Sequence, residues 1–101
     1  MKILPRLIEV TPRLVDEVPA REELELGVVY LAPQYGTAVF LCPCGCGQET
    51  AISINDEIWG KDVPHWDYKF ENDKVSFSPS ILQRTLCKSH FFITNNKVRW
   101  C

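Results

Sequence analysis

The chain has 101 residues, of which 46% are apolar and 24% are charged. This length predicts one domain, and this composition is typical of an ordinary folded protein rather than a disordered tail. The formal net charge of −2 is unlike the dense cationic surface of most nucleic-acid-binding proteins, and no run of residues is as long and apolar as a membrane span. We expect a single domain over residues 1–101, with residues 1–25 as an N-terminal extension that packs on a core of residues 26–101.

The first part of the chain predicts short, irregular elements. Residues 6–10 suit an edge strand, because Pro5 interrupts the apolar run before them. Thr11-Pro12 is typical of a turn. Residues 19–24 begin with proline and place carboxylates near the amide end, which favours one helical turn.

A hairpin should follow and lead directly to a group of cysteines. Residues 27–32 (GVVYLA) and 37–41 (TAVFL) have the β-branched and aromatic content of strands, and the turn signal PQYG separates them. The second strand ends at Cys42. Residues 49–55 (ETAISIN) alternate in polarity as a half-buried strand does, so the cysteine-rich turn should lie between two strands.

That turn predicts a metal site. Cys42, Cys44 and Cys46 fall within five residues, and Cys87 and His90 supply a second donor pair. Zinc prefers four thiolate or imidazole ligands in a tetrahedron, usually as two pairs on tight turns. We expect one structural zinc held by Cys87, His90 and two of the three clustered thiols. Spacing favours Cys42 with Cys46 and leaves Cys44 spare, but Cys44 with Cys46 stays open.

Two glycines should shape this turn. Gly45 and Gly47 can adopt positive φ, which lets the backbone curl and point its amides at the sulfurs. The zinc would then contribute much of the stability of so small a domain.

The remaining elements also predict strands. Residues 55–64 form the most loop-like segment. Trp66, Tyr68 and Phe70 alternate at strand period, as do Val75 and Phe77 after the turn at 71–73, and we interpret these aromatic residues as core. Residues 91–94 and 97–100 flank Asn95-Asn96, which is typical of a tight hairpin turn. The expected fold is mainly β: antiparallel hairpins around one metal site that resembles a zinc ribbon or a treble clef.

The cysteines also indicate the compartment. They are five, an odd number, and four lie in the two metal-binding clusters, which is unlike a secreted disulfide framework. Residues 1–10 include Pro5, Arg6 and Glu9, where a signal peptide would need an unbroken apolar core. We therefore expect a reducing cytoplasm.

Several motifs together resemble a family of small prokaryotic zinc-binding proteins. They are LCPCGCGQ at 41–48, Trp66, SFSPSI at 76–81, CKSH at 87–90 and VRW at 98–100. Genes of this family often stand beside bacterial operons that encode ubiquitin-like proteins and their conjugating enzymes. The resemblance covers residues 26–101. It implies a shared zinc cluster drawn from Cys42, Cys44, Cys46, Cys87 and His90.

Three functions compete at this point. A saturated zinc site favours a protein-binding or accessory module. The module would act in a bacterial ubiquitin-like conjugation or antiviral defence system, and its partner would be a ubiquitin-like protein or its conjugating enzymes. The alternative is a thiol-dependent acyl-transfer enzyme of E3 type, in which Cys44 or Cys101 is the nucleophile and His65 or the metal lowers its pKa. A nucleic-acid-binding zinc ribbon is the least favoured, because its seven cations are scattered along the second half of the chain: Lys61, Lys69, Lys74, Arg84, Lys88, Lys97 and Arg99.

Overall fold

The fold was obtained as a computed structural model, which describes residues 7–55, 60, 65–78, 80–82, 87 and 89–101. These residues form nine strands in three sheets, in the orders β1-β2-β3-β4, β5-β6 and β7-β8-β9. The strands are β1 Thr11–Leu14, β2 Val28–Ala32, β3 Thr37–Leu41, β4 Glu49–Ser53, β5 Asp67–Glu71, β6 Lys74–Ser78, β7 Ile81–Leu82, β8 His90–Thr94 and β9 Lys97–Trp100. Two single-turn 3-10 helices span Arg21–Glu23 and Pro33–Tyr35. The expected mainly β fold is confirmed.

The hairpin of β2 and β3 is confirmed almost residue for residue. A 3-10 turn joins the two strands and ends at Gly36, whose φ of 61° is left-handed. β3 then pairs with β4 in antiparallel register, with Leu41 opposite Glu49. The Cys42 amide extends this pairing by donating to the Gln48 carbonyl at 2.8 Å. The cysteine-rich turn is therefore a loop closed by two hydrogen-bonded strands.

The start of the chain differs from expectation. Residue 6 of the strand predicted at 6–10 lies outside the described residues, and residues 7–10 form one isolated bridge, Glu9 with Lys97, rather than a strand. The turn predicted at Thr11-Pro12 is wrong, because β1 begins at Thr11 and pairs with β2 in parallel. Pro12 is tolerated there because β1 is an edge strand, whose outer amides need no ladder partner. Val10 reaches the core with 4% of its surface exposed, which ties this segment to the rest of the domain.

The main core joins the sheets to one another. Buried side chains of β2, β3, β4, β6, β7, β8 and β9 form one cluster. Phe91 lies at its centre, with its ring centroid 6.3 Å from that of Phe40 and 5.3 Å from that of Trp100. Burying these large aromatic surfaces contributes strongly to the stability of the fold.

The aromatic face of the second predicted hairpin is only partly in the core. β5 and β6 pair as expected, and Phe77 is buried. Trp66 and Phe70 pack against the core while only partly buried, and Tyr68 is 37% exposed. The interpretation of Tyr68 as core is wrong: β5 pairs with β6 alone among the described strands, and the Tyr68 side chain on this edge strand stays partly exposed.

The predicted tight turn at Asn95-Asn96 is confirmed in detail. Asn95 and Asn96 both have positive φ, of 48° and 69°, as a tight turn between β8 and β9 requires. The Asn96 side chain accepts a hydrogen bond from the Val75 amide at 2.8 Å and so attaches this turn to β6. Most of the expected loop at 55–64 lies outside the described residues. No helix among the described residues is long and apolar enough to cross a membrane.

Candidate functional site

Four cysteines converge at one end of the first sheet. The Sγ atoms of Cys42, Cys44, Cys46 and Cys87 all lie within 4.8 Å of one another. Cys42 Sγ is 3.4 Å from Cys44 Sγ and 3.7 Å from Cys87 Sγ. A zinc tetrahedron with Zn–S bonds of about 2.3 Å has S···S edges of about 3.8 Å. The group therefore has the donor chemistry and the spacing to hold one metal ion.

The backbone around the sulfurs is also arranged as metal-binding turns are. Gly45 and Gly47 have φ of 88° and 83°, which confirms the expected curl of this turn. Three thiols each accept a hydrogen bond from the amide two residues later: Cys42 from Cys44, Cys46 from Gln48, and Cys87 from Ser89. Amides directed at sulfur favour the thiolate, which is the form that binds metal.

Burial and hydrogen bonding act on these thiols in opposite directions. Burial raises the pKa of Cys42 and, less strongly, that of Cys46. Burial also raises the pKa of Cys87. Hydrogen bonds from the hydroxyl and amide of Ser89 and from two neighbouring thiols outweigh this effect and lower the pKa of Cys87 to about 6. Arg21 lies close by, where its guanidinium donates to the Gly47 carbonyl at 2.9 Å. A cation at this loop favours the negative charge of a thiolate cluster.

The expected ligand His90 is not part of this group. It is the first residue of β8, and its side chain lies on the exposed face of that strand. Its Nε2 atom is 2.6 Å from the hydroxyl of Ser80. The structure thus brings Cys44 together with the other three cysteines and pairs His90 with a serine. Cys101 and His65, which the sequence offered for acyl transfer, are exposed and lie outside the four-cysteine group.

Strand register explains the contact between Ser80 and His90. β7 pairs with β8 so that Ile81 faces Phe91 and Leu82 faces His90. Ser80 is therefore a diagonal neighbour of His90 on the outer face of the sheet, while Ile81 and Phe91 point into the core.

Hydrogen bonds hold the backbones of both Ser80 and His90. The Trp66 indole donates to the Ser80 carbonyl at 3.1 Å, and the Cys101 amide donates to the His90 carbonyl at 3.0 Å. The serine–histidine pair therefore sits on fixed backbone, while its side chains face outward. Such a hydroxyl–imidazole pair is the arrangement that activates serine as a nucleophile.

Comparison with known proteins identifies the family. Residues 14–101 match the model of a family described as "Bacterial ubiquitination-like system serine protease (BubE)". The chain belongs to this family. The match agrees with the association with bacterial ubiquitin-like systems that the sequence resemblance implies, and the BubE match includes the four clustered cysteines, Ser80 and His90. No curated protein and no solved structure matches the chain.

Sequence reasoning missed Ser80 and Ser89. SPSI predicts only a strand boundary, and nothing in its spacing to CKSH shows that the serine and the histidine meet. Ser89 is buried, with 6% of its surface exposed, and its hydroxyl is a hydrogen-bond partner of Cys87. A polar residue between two metal-binding candidates is a weak signal for such a supporting role.

Proposed function

We propose that this chain is a serine hydrolase of a bacterial ubiquitin-like system, with Ser80 as nucleophile and His90 as general base. The observation that carries the proposal is the 2.6 Å contact between Ser80 Oγ and His90 Nε2. The description of the family as a serine protease supports the same chemistry. The substrate we propose is a ubiquitin-like protein, either as a precursor or joined to a target.

The geometry fits the two halves of an acyl-transfer cycle. His90 Nε2 accepts the hydroxyl proton while Ser80 Oγ forms a bond to the substrate carbonyl carbon. The leaving amine or alcohol then departs with the proton that His90 returns, and an acyl ester remains on Ser80. Water attacks this ester with His90 again as base, which releases the carboxylic acid and restores the hydroxyl.

The cysteine group serves as a structural metal site in this proposal. Its four sulfur donors fill a tetrahedron, so a zinc ion bound there would have no open position for a substrate or a reactive water. Cys87 is the last cysteine of the group in the sequence and lies three residues before His90. Metal coordination by Cys87 would therefore fix the start of β8. The need for reduced thiols supports a cytoplasmic location, and all five cysteines are free.

A first prediction concerns Cys44, which spacing alone left spare. Because its sulfur lies within the four-cysteine group, Cys44→Ser should lower metal affinity by more than the roughly 10- to 100-fold that loss of an outer-shell partner causes. Competition with a chromophoric zinc chelator measures this. Cys101→Ser, an exposed thiol outside the group, is the control and should match the wild type. Equal affinities for the two variants would contradict a four-cysteine site.

An active-site probe tests the hydrolase. A fluorophosphonate should modify Ser80 in the metal-loaded chain, as located by peptide mass spectrometry, because the probe reacts only with hydroxyls that a base activates. Ser80→Ala should remain unlabelled and should lose hydrolysis of p-nitrophenyl acetate. Ser53→Ala, a half-buried serine in β4, should behave as the wild type.

A protein-binding accessory module is the second candidate, and the closed cysteine site favours it. A module of this kind would not react with the fluorophosphonate, and Ser80→Ala would leave its partner binding intact. Absence of labelling in folded, metal-loaded protein would therefore reject the hydrolase and leave this candidate.

A further inference from the structure

A groove runs along the outer face of the protein beside the serine–histidine pair. Its volume is about 360 Å³, and its walls come from β5, β6 and β8. β8 contributes Phe92 and Thr94, which share the outer face with His90 because side chains alternate along a strand. β6 contributes Ser76 and Ser78.

The groove exists because a sheet is interrupted. β6 and β7 follow one another along the same flank of β8. β6 is attached at one end, where the Asn96 amide donates to the Val75 carbonyl at 2.9 Å, and β7 at the other, where Ile81 pairs with Phe91. Between these two attachments, no ladder pair among the described residues joins 76–78 to 92–94. The groove lies between these unpaired parts of β6 and β8 and is lined by residues of both.

The groove lies close in sequence and strand position to the proposed nucleophile. Phe92 is two residues from His90 on the same face of β8, and Ser78 is two residues before Ser80. From His90 to Thr94 the strand rises about 13 Å, at about 3.3 Å per residue. An extended polypeptide of about four residues has the same length. Phe92 is 37% exposed, so the groove offers an aromatic surface to a substrate side chain near the pair.

We infer that this groove binds about four extended residues of the polypeptide substrate, on one side of the bond that Ser80 attacks, and seats an apolar side chain on Phe92. The inference rests on the proposed function and adds how the polypeptide substrate is bound. The occupant is an extended chain because Phe92 and Thr94 follow His90 along one face of β8, so a strand-like substrate that starts at Ser80 would run along them. It selects an apolar side chain because the aromatic ring of Phe92 loses contact with water when that side chain covers it.

A library of internally quenched octapeptides tests the inference in the full, metal-loaded chain. The wild type should prefer one large apolar residue within four positions of the cleaved bond. Phe92→Ala should lower kcat/KM for the best octapeptide by roughly ten- to hundred-fold, the range expected when one apolar contact is lost. Hydrolysis of p-nitrophenyl acetate, which is too small to reach the groove, should not change. Tyr35→Ala, an exposed aromatic residue of the 3-10 turn between β2 and β3, is the matched control.

A second variant guards against loss of fold. Thr94→Trp fills the far end of the groove and should reduce peptide cleavage while ester hydrolysis stays at the wild-type level. The inference is overturned if Phe92→Ala and Thr94→Trp cleave octapeptides as the wild type does, if they lose ester hydrolysis equally, or if the wild type cleaves no octapeptide. In each of these cases fluorophosphonate labelling of Ser80 still decides the proposed function separately.

Discussion

A Cys87→Ser chain is expected to lose its metal and to unfold under conditions in which the wild type is folded. Cys87 is the one sulfur of the group that comes from outside the turn at 42–46. A metal bound by all four sulfurs closes the chain between these two regions, so removing Cys87 opens a loop of about forty residues. Structural zinc contributes about 10–16 kcal/mol to small domains, which equals or exceeds the total stability of about 5–15 kcal/mol that such domains have.

The measurement combines elemental analysis with thermal unfolding followed by circular dichroism. We expect one zinc per wild-type chain and a cooperative transition, and neither for Cys87→Ser. Cys101→Ser should retain both, because its thiol is exposed at the end of the chain and surface substitutions usually change stability by about 0.5 kcal/mol or less. A Cys87→Ser chain that melts at the wild-type temperature would show that the cysteine group does not stabilise the fold.

Local sequence signals predicted much of the fold. The hairpin of β2 and β3, the turn at Asn95-Asn96, and the positive φ of Gly45 and Gly47 all follow from short-range chemistry. Each depends on residues that are close in sequence, where turn type and strand alternation act directly. Such signals do not indicate which strands pair when the strands are far apart in sequence. The parallel pairing of β1 with β2 was therefore not predicted.

In the candidate site, too, local sequence signals do not predict contacts between residues that are distant in sequence. The motif CKSH places cysteine and histidine at a spacing typical of zinc ligands, so sequence reasoning joined His90 to the cysteines. The side chains of Cys87 and His90 do not meet, because β8 begins at His90. From that point side chains alternate, so Phe91 enters the core while His90 faces outward. Only the register of β7 against β8 brings Ser80 to this histidine, and that register depends on tertiary packing.

The two roles that His90 could have predict opposite results for His90→Gln. In the proposed hydrolase Gln cannot accept the proton of Ser80, so hydrolysis should fall by about 10²- to 10⁴-fold, the usual contribution of a general base. Metal content and melting temperature should remain those of the wild type, because the imidazole contacts Ser80 and lies outside the four-cysteine group.

The experiment compares p-nitrophenyl acetate hydrolysis, fluorophosphonate labelling and zinc content in the same preparations. His65→Gln is the matched control, because His65 is exposed and lies outside the four-cysteine group. It should equal the wild type in all three measurements. If His90→Gln instead lost its zinc and its folded transition, His90 would be a metal ligand, as the sequence first suggested, and the serine would have no base. Retained zinc with lost labelling would assign His90 to Ser80, because only a base that accepts the hydroxyl proton makes that oxygen reactive.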